Sequence, residues 1–305
     1  MRKYTLAGAF IAGVIACFIL LSIHGFGEEP VPQQKLQRGD GNLPQLKVPV
    51  TPGTMNFAGE PVPLDRWEVR EYFDRELLFN YYMPANIFYM LKLSGRYFPM
   101  IEATLKAHNI PDDFKYLCVA ESNLQNAVSR VGASGFWQFM KDTAPAYGLE
   151  VTGTMDERYH IEKSTAAACK YLLKAHQRFG NWTAAAASYN CGMGGYASRS
   201  DHQGTKYYYD LALPEETQRY IFRILAFKHL LANAESLGFA LPDSGQYTPV
   251  KTKEVVVDRS VPDLAVFAKT HGSNYKMLKL LNPWLRERSL VVRGGQRYVL
   301  KLPVE

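Results

Sequence analysis

The sequence predicts a mainly α-helical protein that ends in a small βααβ module. Two observations carry this. Apolar residues recur at helical spacing through residues 65–240 with no convincing alternating strand among them, and residues 254–303 then change to strand, two short helices and strand.

The elements follow in order. Met1-Arg2-Lys3-Tyr4 precede residues 6–23, an apolar run without a charge and with Ser22 as its one polar side chain. Basic residues ahead of such a run head an export signal or membrane anchor, the positive end staying in the cytoplasm. Residues 1–27 are therefore expected to be a signal peptide or membrane anchor, which puts the protein in the periplasm or cell envelope, joined to its membrane through the N-terminus. Val14-Ile15-Ala16-Cys17 also offers a lipidation site at Cys17, although apolar residues continue beyond it. Residues 28–64 hold seven of the 17 prolines and are expected to be an extended tether.

From Asp65 the pattern turns helical. Asp65 and Glu68 form a capping box for a run that reaches Met83 and stops at Pro84. Further helices are expected over 85–93, 96–108, 112–125, 137–146, 161–179 (closed by Gly180), 183–190, and 215–237 (opened by Pro214, closed by Gly238). Residues 65–240 thus make an all-α domain, and the polar, Pro- and Gly-containing stretch 241–253 makes a linker. Beyond it, Val255-Val256-Val257 reads as a strand, 262–269 and 274–281 as helices and 297–302 as a closing strand. A module of this size is near the lower limit for folding alone.

Charge excludes one class of function. The chain has 35 Lys and Arg against 29 Asp and Glu, a net +6. Residues 251–305 hold 11 of these basic and 5 of these acidic residues, so the tail carries the whole excess and the first 250 residues are balanced. Nucleic acid is not expected as a partner of a neutral helical domain with no phosphate-binding loop. Lys269, Lys276, Lys279, Arg286 and Arg288 are instead expected to hold the tail near polyanions of the wall. Apart from Cys17, the cysteines at 118, 169 and 191 are odd in number and widely spaced, neither a disulfide framework nor a zinc pattern. No metal or cofactor is expected.

One residue type stands out of pattern. Phe114, Leu117, Cys118 and Leu124 share an apolar helical stripe, and Glu121 falls on it. A carboxyl group facing a core is costly unless it is paired, binds a metal or holds a proton. A proton-holding Glu is a general acid, which glycosidic cleavage requires; a buried Glu paired with an Arg or a helix end is the structural alternative. A Gly- and Ser-rich loop follows, leading to Phe136-Trp137-Gln138. Trp137 suits either a sugar face or the core, and Gln138 suits an acetamido group. Residues 184–195 bring four alanines, then Tyr189-Asn190 before a glycine turn, so that the Tyr189 hydroxyl can face a cleft.

The order Glu121-Ser122, Gly132-Ala133-Ser134-Gly135-Phe136-Trp137-Gln138, Ser188-Tyr189-Asn190 and Glu216-Thr217-Gln218-Arg219-Tyr220 resembles the family 1 lytic transglycosylases, above all the membrane-bound type D branch. The resemblance covers roughly 65–240 and implies a goose-type lysozyme-like helical domain that cleaves peptidoglycan glycan strands. It implies Glu121 as the single catalytic acid and base. Ser122, Ser134, Gln138, Tyr189 and Asn190 would line the sugar subsites, with Tyr220 closing the cleft. Phe136 stands where Leu is usual in that family, and Gln218 where Arg is usual. The implied reaction protonates the oxygen between N-acetylmuramic acid and N-acetylglucosamine and closes a 1,6-anhydro ring. No second carboxylate stands in the 132–138 or 188–195 segments, as a hydrolase would require. A hydrolytic muramidase on the same fold and a non-catalytic peptidoglycan-binding protein are the alternatives. Residues 254–303 resemble a LysM glycan-binding module through Leu278-Lys279-Leu280-Leu281-Asn282-Pro283 and Arg293-Gly294-Gly295-Gln296, with Ser260-Val261-Pro262-Asp263-Leu264 replacing the usual opening.

Overall fold

Residues 47–242 and 244–304 are described by a computed structural model. The expected N-terminal signal or anchor, the Cys17 lipidation site and most of the tether lie outside the described residues. Among those described, no helix is long and apolar enough to cross a membrane.

From Val48 on the chain is one compact unit, and this corrects the tether boundary. Residues assigned to the tether fold onto the helical domain through a small hairpin, β1 (Asn56–Phe57) with β2 (Glu60–Pro61). Phe57 is 0% exposed and meets the Phe114 ring edge-on at 5.2 Å, while Val62 and Leu64 are also buried. Glu60 accepts hydrogen bonds from the backbone N–H groups of Trp182 and Thr183, capping a helix that begins there. A proline-rich composition favours extended backbone, but extended backbone with Phe, Val and Leu pointing inward is also a way to close a core.

The helical domain comprises α1 (Trp67–Tyr81), α2 (Pro84–Ala107), α3 (Phe114–Ser122), α4 (Ile161–Phe179), α5 (Trp182–Gln203) and α6 (Glu215–Ala232). α1 and α3 pack on α6, α4 on α5, and α2 on α4. The mainly α expectation holds, with several boundaries moved. The expected helices 85–93 and 96–108 are one, α2, running through Ser94 and Gly95. Gly95 serves a close approach instead of a break: a Cβ there would lie 2.9 Å from Gln246 Cβ and from the Tyr247 carbonyl oxygen. The expected helix over 137–146 is absent. Gly135 (φ 85°) and Gln138 (φ 48°) are left-handed, Ser134 bridges to both Val128 and Phe139, and only a 3₁₀ turn at Ala144–Tyr147 remains. α5 extends far past residue 190, across a kink at Gly192. α6 stops at Ala232, short of the expected 237.

The linker 241–253 is strapped to α2, since Tyr247 N–H donates to the Lys92 carbonyl, Lys92 Nζ to the Gly245 carbonyl and Arg96 Nε to the Thr248 carbonyl. The C-terminal module follows as β3 (Thr252–Val257), α7 (Leu264–Thr270), α8 (Tyr275–Leu281) and β4 (Tyr298–Pro303), with β3 and β4 antiparallel in the register Val255 to Leu300. Asp263 caps α7, accepting from Ala265 N–H and Val266 N–H, so the unusual opening still starts a helix. Asn282, 1% exposed, exchanges hydrogen bonds with the backbone of Lys301 and so fixes α8 to β4. Too small to bury its own core fully, the module shares one with the helical domain. Met155 and Tyr159 pack with Leu278, Trp284, Leu285 and Leu300, and Met155 bridges to Leu285. Two of the five basic residues expected to hold the tail near wall polyanions also make contacts within the chain: Arg286 lies 4.3 Å from the Tyr159 ring centre, and Lys279 Nζ donates to the Leu285 and Glu287 carbonyls.

Candidate active site

Glu121 lies in the last turn of α3. That helix ends one residue later because Asn123 (φ 53°) and Leu124 (φ 59°) are both left-handed. A helix C-terminus disfavours negative charge, and burial acts in the same direction. Burial is the largest influence on the Glu121 carboxyl. A hydrogen bond from Tyr220 and the charge of Arg223 oppose it, Glu216 reinforces it, and the result is a pKa raised to about 7. The Tyr220 hydroxyl, carried by α6, donates to Glu121 Oε1. No cation lies within ion-pair distance of Glu121 among the described residues, so the alternative of a Glu paired with an Arg is not what this carboxyl does.

The nearest guanidinium groups are engaged elsewhere. Glu76 on α1, 2% exposed, accepts from Arg219 Nε at 2.6 Å and lies 3.5 Å from Arg223 Nε. This buried carboxylate occupies Arg219 and Arg223, one residue before and three after Tyr220 on α6, and leaves Glu121 with a neutral donor. Sequence reading passed over Glu76, although the two basic residues at positions 219 and 223, i and i+4 on α6, were a signal that a buried acid would have to face them.

The loop after Glu121 is held from beneath. Arg158, paired with Asp156 at 2.7 Å, donates through Nη1 to the Gly132 and Phe139 carbonyls. A Cβ on Gly135 would fall 1.9 Å from the Arg158 carbonyl oxygen, so only glycine fits there. Trp137 is fully buried and donates to Thr165 Oγ1 at 2.9 Å, which settles it as core. Gln138 is half-buried, its Nε2 donating to the Ala127 and Gly135 carbonyls. These bonds fix the amide through Nε2 and leave Oε1 as an acceptor not used by either of them.

Tyr189 and Asn190 precede the Gly192 kink. The Tyr189 hydroxyl donates to the Trp137 carbonyl at 2.8 Å instead of facing a cleft, tying α5 to the loop beside Glu121. Asn190 Oδ1 accepts from Thr217 Oγ1 at 2.8 Å and Nδ2 reaches Glu216 Oε1 at 3.4 Å. Ser122 and Ser134 are buried, their hydroxyls donating to the Cys118 and Gly132 carbonyls. The structure therefore gathers Glu121, Tyr220, Tyr189, Asn190 and Gln138 around the end of α3 and turns Ser122 and Ser134 into internal supports. Gln218, at the position where the resemblance expects Arg, accepts from Leu213 N–H at 3.0 Å and steadies the turn before α6.

Comparison with known families matches two stretches of the chain. Residues 98–211 match the transglycosylase SLT domain, and residues 253–305 match the soluble lytic transglycosylase C-terminal LysM-like domain. The chain carries both, and it is homologous to the membrane-bound lytic murein transglycosylase D of Escherichia coli K12, with 28% identity over 211 residues covering 67% of this chain and 46% of the relative. The protein of the same name from Escherichia coli O6:H1 matches to the same extent. The chain spans about half the length of these relatives.

Proposed function

We propose that the protein is a peptidoglycan lytic transglycosylase of the cell envelope and that Glu121 is its one acid and base. The observation that carries this reading is a carboxyl raised to about 7 whose hydrogen-bond partner is a neutral hydroxyl. Such a group is protonated in a large fraction of molecules at neutral pH and can also accept a proton back.

In the proposed reaction Glu121 gives its proton to the oxygen bridging N-acetylmuramic acid and N-acetylglucosamine as the bond from the anomeric carbon to that oxygen breaks. The carboxylate left behind is stabilised by the Tyr220 hydroxyl. It then takes the proton of the muramic C6 hydroxyl while that oxygen bonds to the anomeric carbon. The proton is returned, no water is consumed and the product is a 1,6-anhydro end. General acid and base action of this type contributes on the order of 10²- to 10⁴-fold. Gln138 Oε1 and Asn190 are the polar groups offered to the sugars, while Tyr189 holds their two segments together. Glu121→Gln tests this reading: it should keep the fold, because Gln can still accept from Tyr220, and abolish cleavage. Near-normal turnover would overturn the assignment.

One observation favours a second reading. Glu216, one turn before Tyr220 on α6, is close enough to act on the charge of Glu121. It supplies a second carboxylate that could activate water, as an inverting muramidase requires. Its hydrogen bond from Asn190 and its exposed position suit a substrate-orienting group equally well.

A further inference from the structure

A cavity of about 430 Å³ lies where the C-terminal module meets the helical domain, in the size range of small-ligand sites (about 300–1,000 Å³). It is separate from the Glu121 site, yet one segment serves both. Phe136 lines the cavity, and the carbonyl of the next residue, Trp137, accepts from the Tyr189 hydroxyl beside the Glu121 site. Its apolar lining includes Met100, Ile161, Val250 and Leu280. The polar groups are of both signs. Arg96 has no carboxylate within ion-pair distance among the described residues. Glu162 is held ionised: burial works against its charge, but hydrogen bonds from His160 and Lys301 outweigh burial and lower it to about 2.

The chemistry of the lining discriminates between ligands. A sugar ring needs an open aromatic face, and the aromatic faces here are covered. Trp284, 3% exposed, is stacked on His160 at 5.7 Å and meets the tilted Tyr298 ring at 5.8 Å. The Tyr159 ring, 7% exposed, lies under Arg286 at 4.3 Å, and Tyr97 meets Phe136 edge-on at 4.8 Å. What remains is an aliphatic lining and the guanidinium of Arg96, while the charge of Glu162 is already neutralised, its two oxygens meeting Lys301 and His160. That pattern complements a short peptide with methyl side chains and a carboxylate. We propose that this cavity binds the stem peptide of peptidoglycan, through Arg96 to a peptide carboxylate and through Leu280 and the other aliphatic side chains to alanine methyls. The identity of the peptide rests on the function proposed above; the cavity and its charges do not.

Free stem peptide has no glycosidic bond, so its binding is measured independently of cleavage. Calorimetric titration of the full chain uses a synthetic tetrapeptide of L-alanine, γ-D-glutamate, meso-diaminopimelate and D-alanine, with thermal melting to show that each variant is folded. Saturable binding is expected. It should weaken at least about tenfold in Arg96→Ala and in Leu280→Asp, whose parent side chain is 61% exposed, and be unchanged in Glu121→Gln. An N-acetylglucosamine tetramer should not displace the peptide. No binding at millimolar peptide, binding indifferent to both cavity variants, or displacement by the sugar would each overturn the proposal. Peptide binding by a chain that cleaves nothing would leave it standing and reject the function instead.

Discussion

The Tyr220 hydroxyl donates to Glu121 Oε1 from a residue 99 positions further along the chain, and it is the only direct hydrogen bond that this carboxyl makes among the described residues. The donor matters more when Glu121 is ionised than when it is protonated, because a charge-assisted hydrogen bond is roughly twice as strong as a neutral one. Tyr220 therefore serves the carboxylate formed midway through the proposed reaction.

Cleavage should depend on pH through Glu121 in its acid form. The activity kcat/KM is expected to fall above about pH 7, following the raised carboxyl. Tyr220→Phe removes the bond that favours the ionised form, so it should move this limb to higher pH while lowering the rate, by about 10²-fold if the donor acts like one in an oxyanion hole. Glu216→Gln removes a like charge and should move the limb to lower pH. A pH–rate series on soluble glycan fragments reads both directions.

The same carboxyl leaves a signature in stability. Its pKa is near 4.5 when unfolded and about 7 when folded. The folded state thus binds more protons between these values, and the contribution of this group is full below pH 4.5 and lost as pH rises through 7. Glu121→Gln, with no proton to lose, should gain on the parent chain as pH is raised from 4 to 8. The shift sets an upper limit of about 3 kcal/mol, reduced by the solvent that reaches this half-buried group. Melting temperatures of both chains across this range check it; a constant difference would show that the carboxyl is not perturbed.

Much of the helical domain is legible in the sequence because its signals are local. The 3.6-residue apolar period, Pro214 ahead of α6 and Gly180 behind α4 act within a few residues of where they stand. Glu121 is legible for the same reason, as a carboxyl on an apolar stripe. The misread parts depend on distant chain. Nothing near Gly95 tells that residues 246 and 247 will press on it, and nothing near Phe57 tells that Phe114 is its partner. The Tyr189 hydroxyl has the chemistry to meet a sugar, but the Trp137 carbonyl, brought close by folding, takes it first; the Ser122 hydroxyl is taken locally, by the Cys118 carbonyl one helical turn back.

The N-terminal strap should be essential to the fold. Phe57→Ala removes a fully buried aromatic ring and should cost about 3–5 kcal/mol in denaturant unfolding. A chain starting at residue 48 should fold, and one starting at residue 65, lacking Phe57, Glu60, Val62 and Leu64, should not. A folded chain from residue 65 would restore the tether reading for the whole stretch.

Gly135→Ala tests how the loop beside Glu121 is held. The new methyl would sit on the Arg158 carbonyl in a left-handed backbone conformation, so the loop must move. A loss of more than about 2 kcal/mol is expected, together with a drop in kcat/KM at every pH, since Gln138 and the Trp137 carbonyl that anchors Tyr189 belong to that loop. A variant with parental stability and activity would show that the loop is free to adjust.

The central claim is that one carboxyl completes the reaction without water. Purified peptidoglycan digested by the full chain, with the fragments weighed by mass spectrometry, tests it most directly. The account predicts muramic ends one water lighter than reducing ends, absent from the Glu121→Gln digest. A digest dominated by reducing ends would contradict it and assign the second carboxylate, Glu216, to the activation of water.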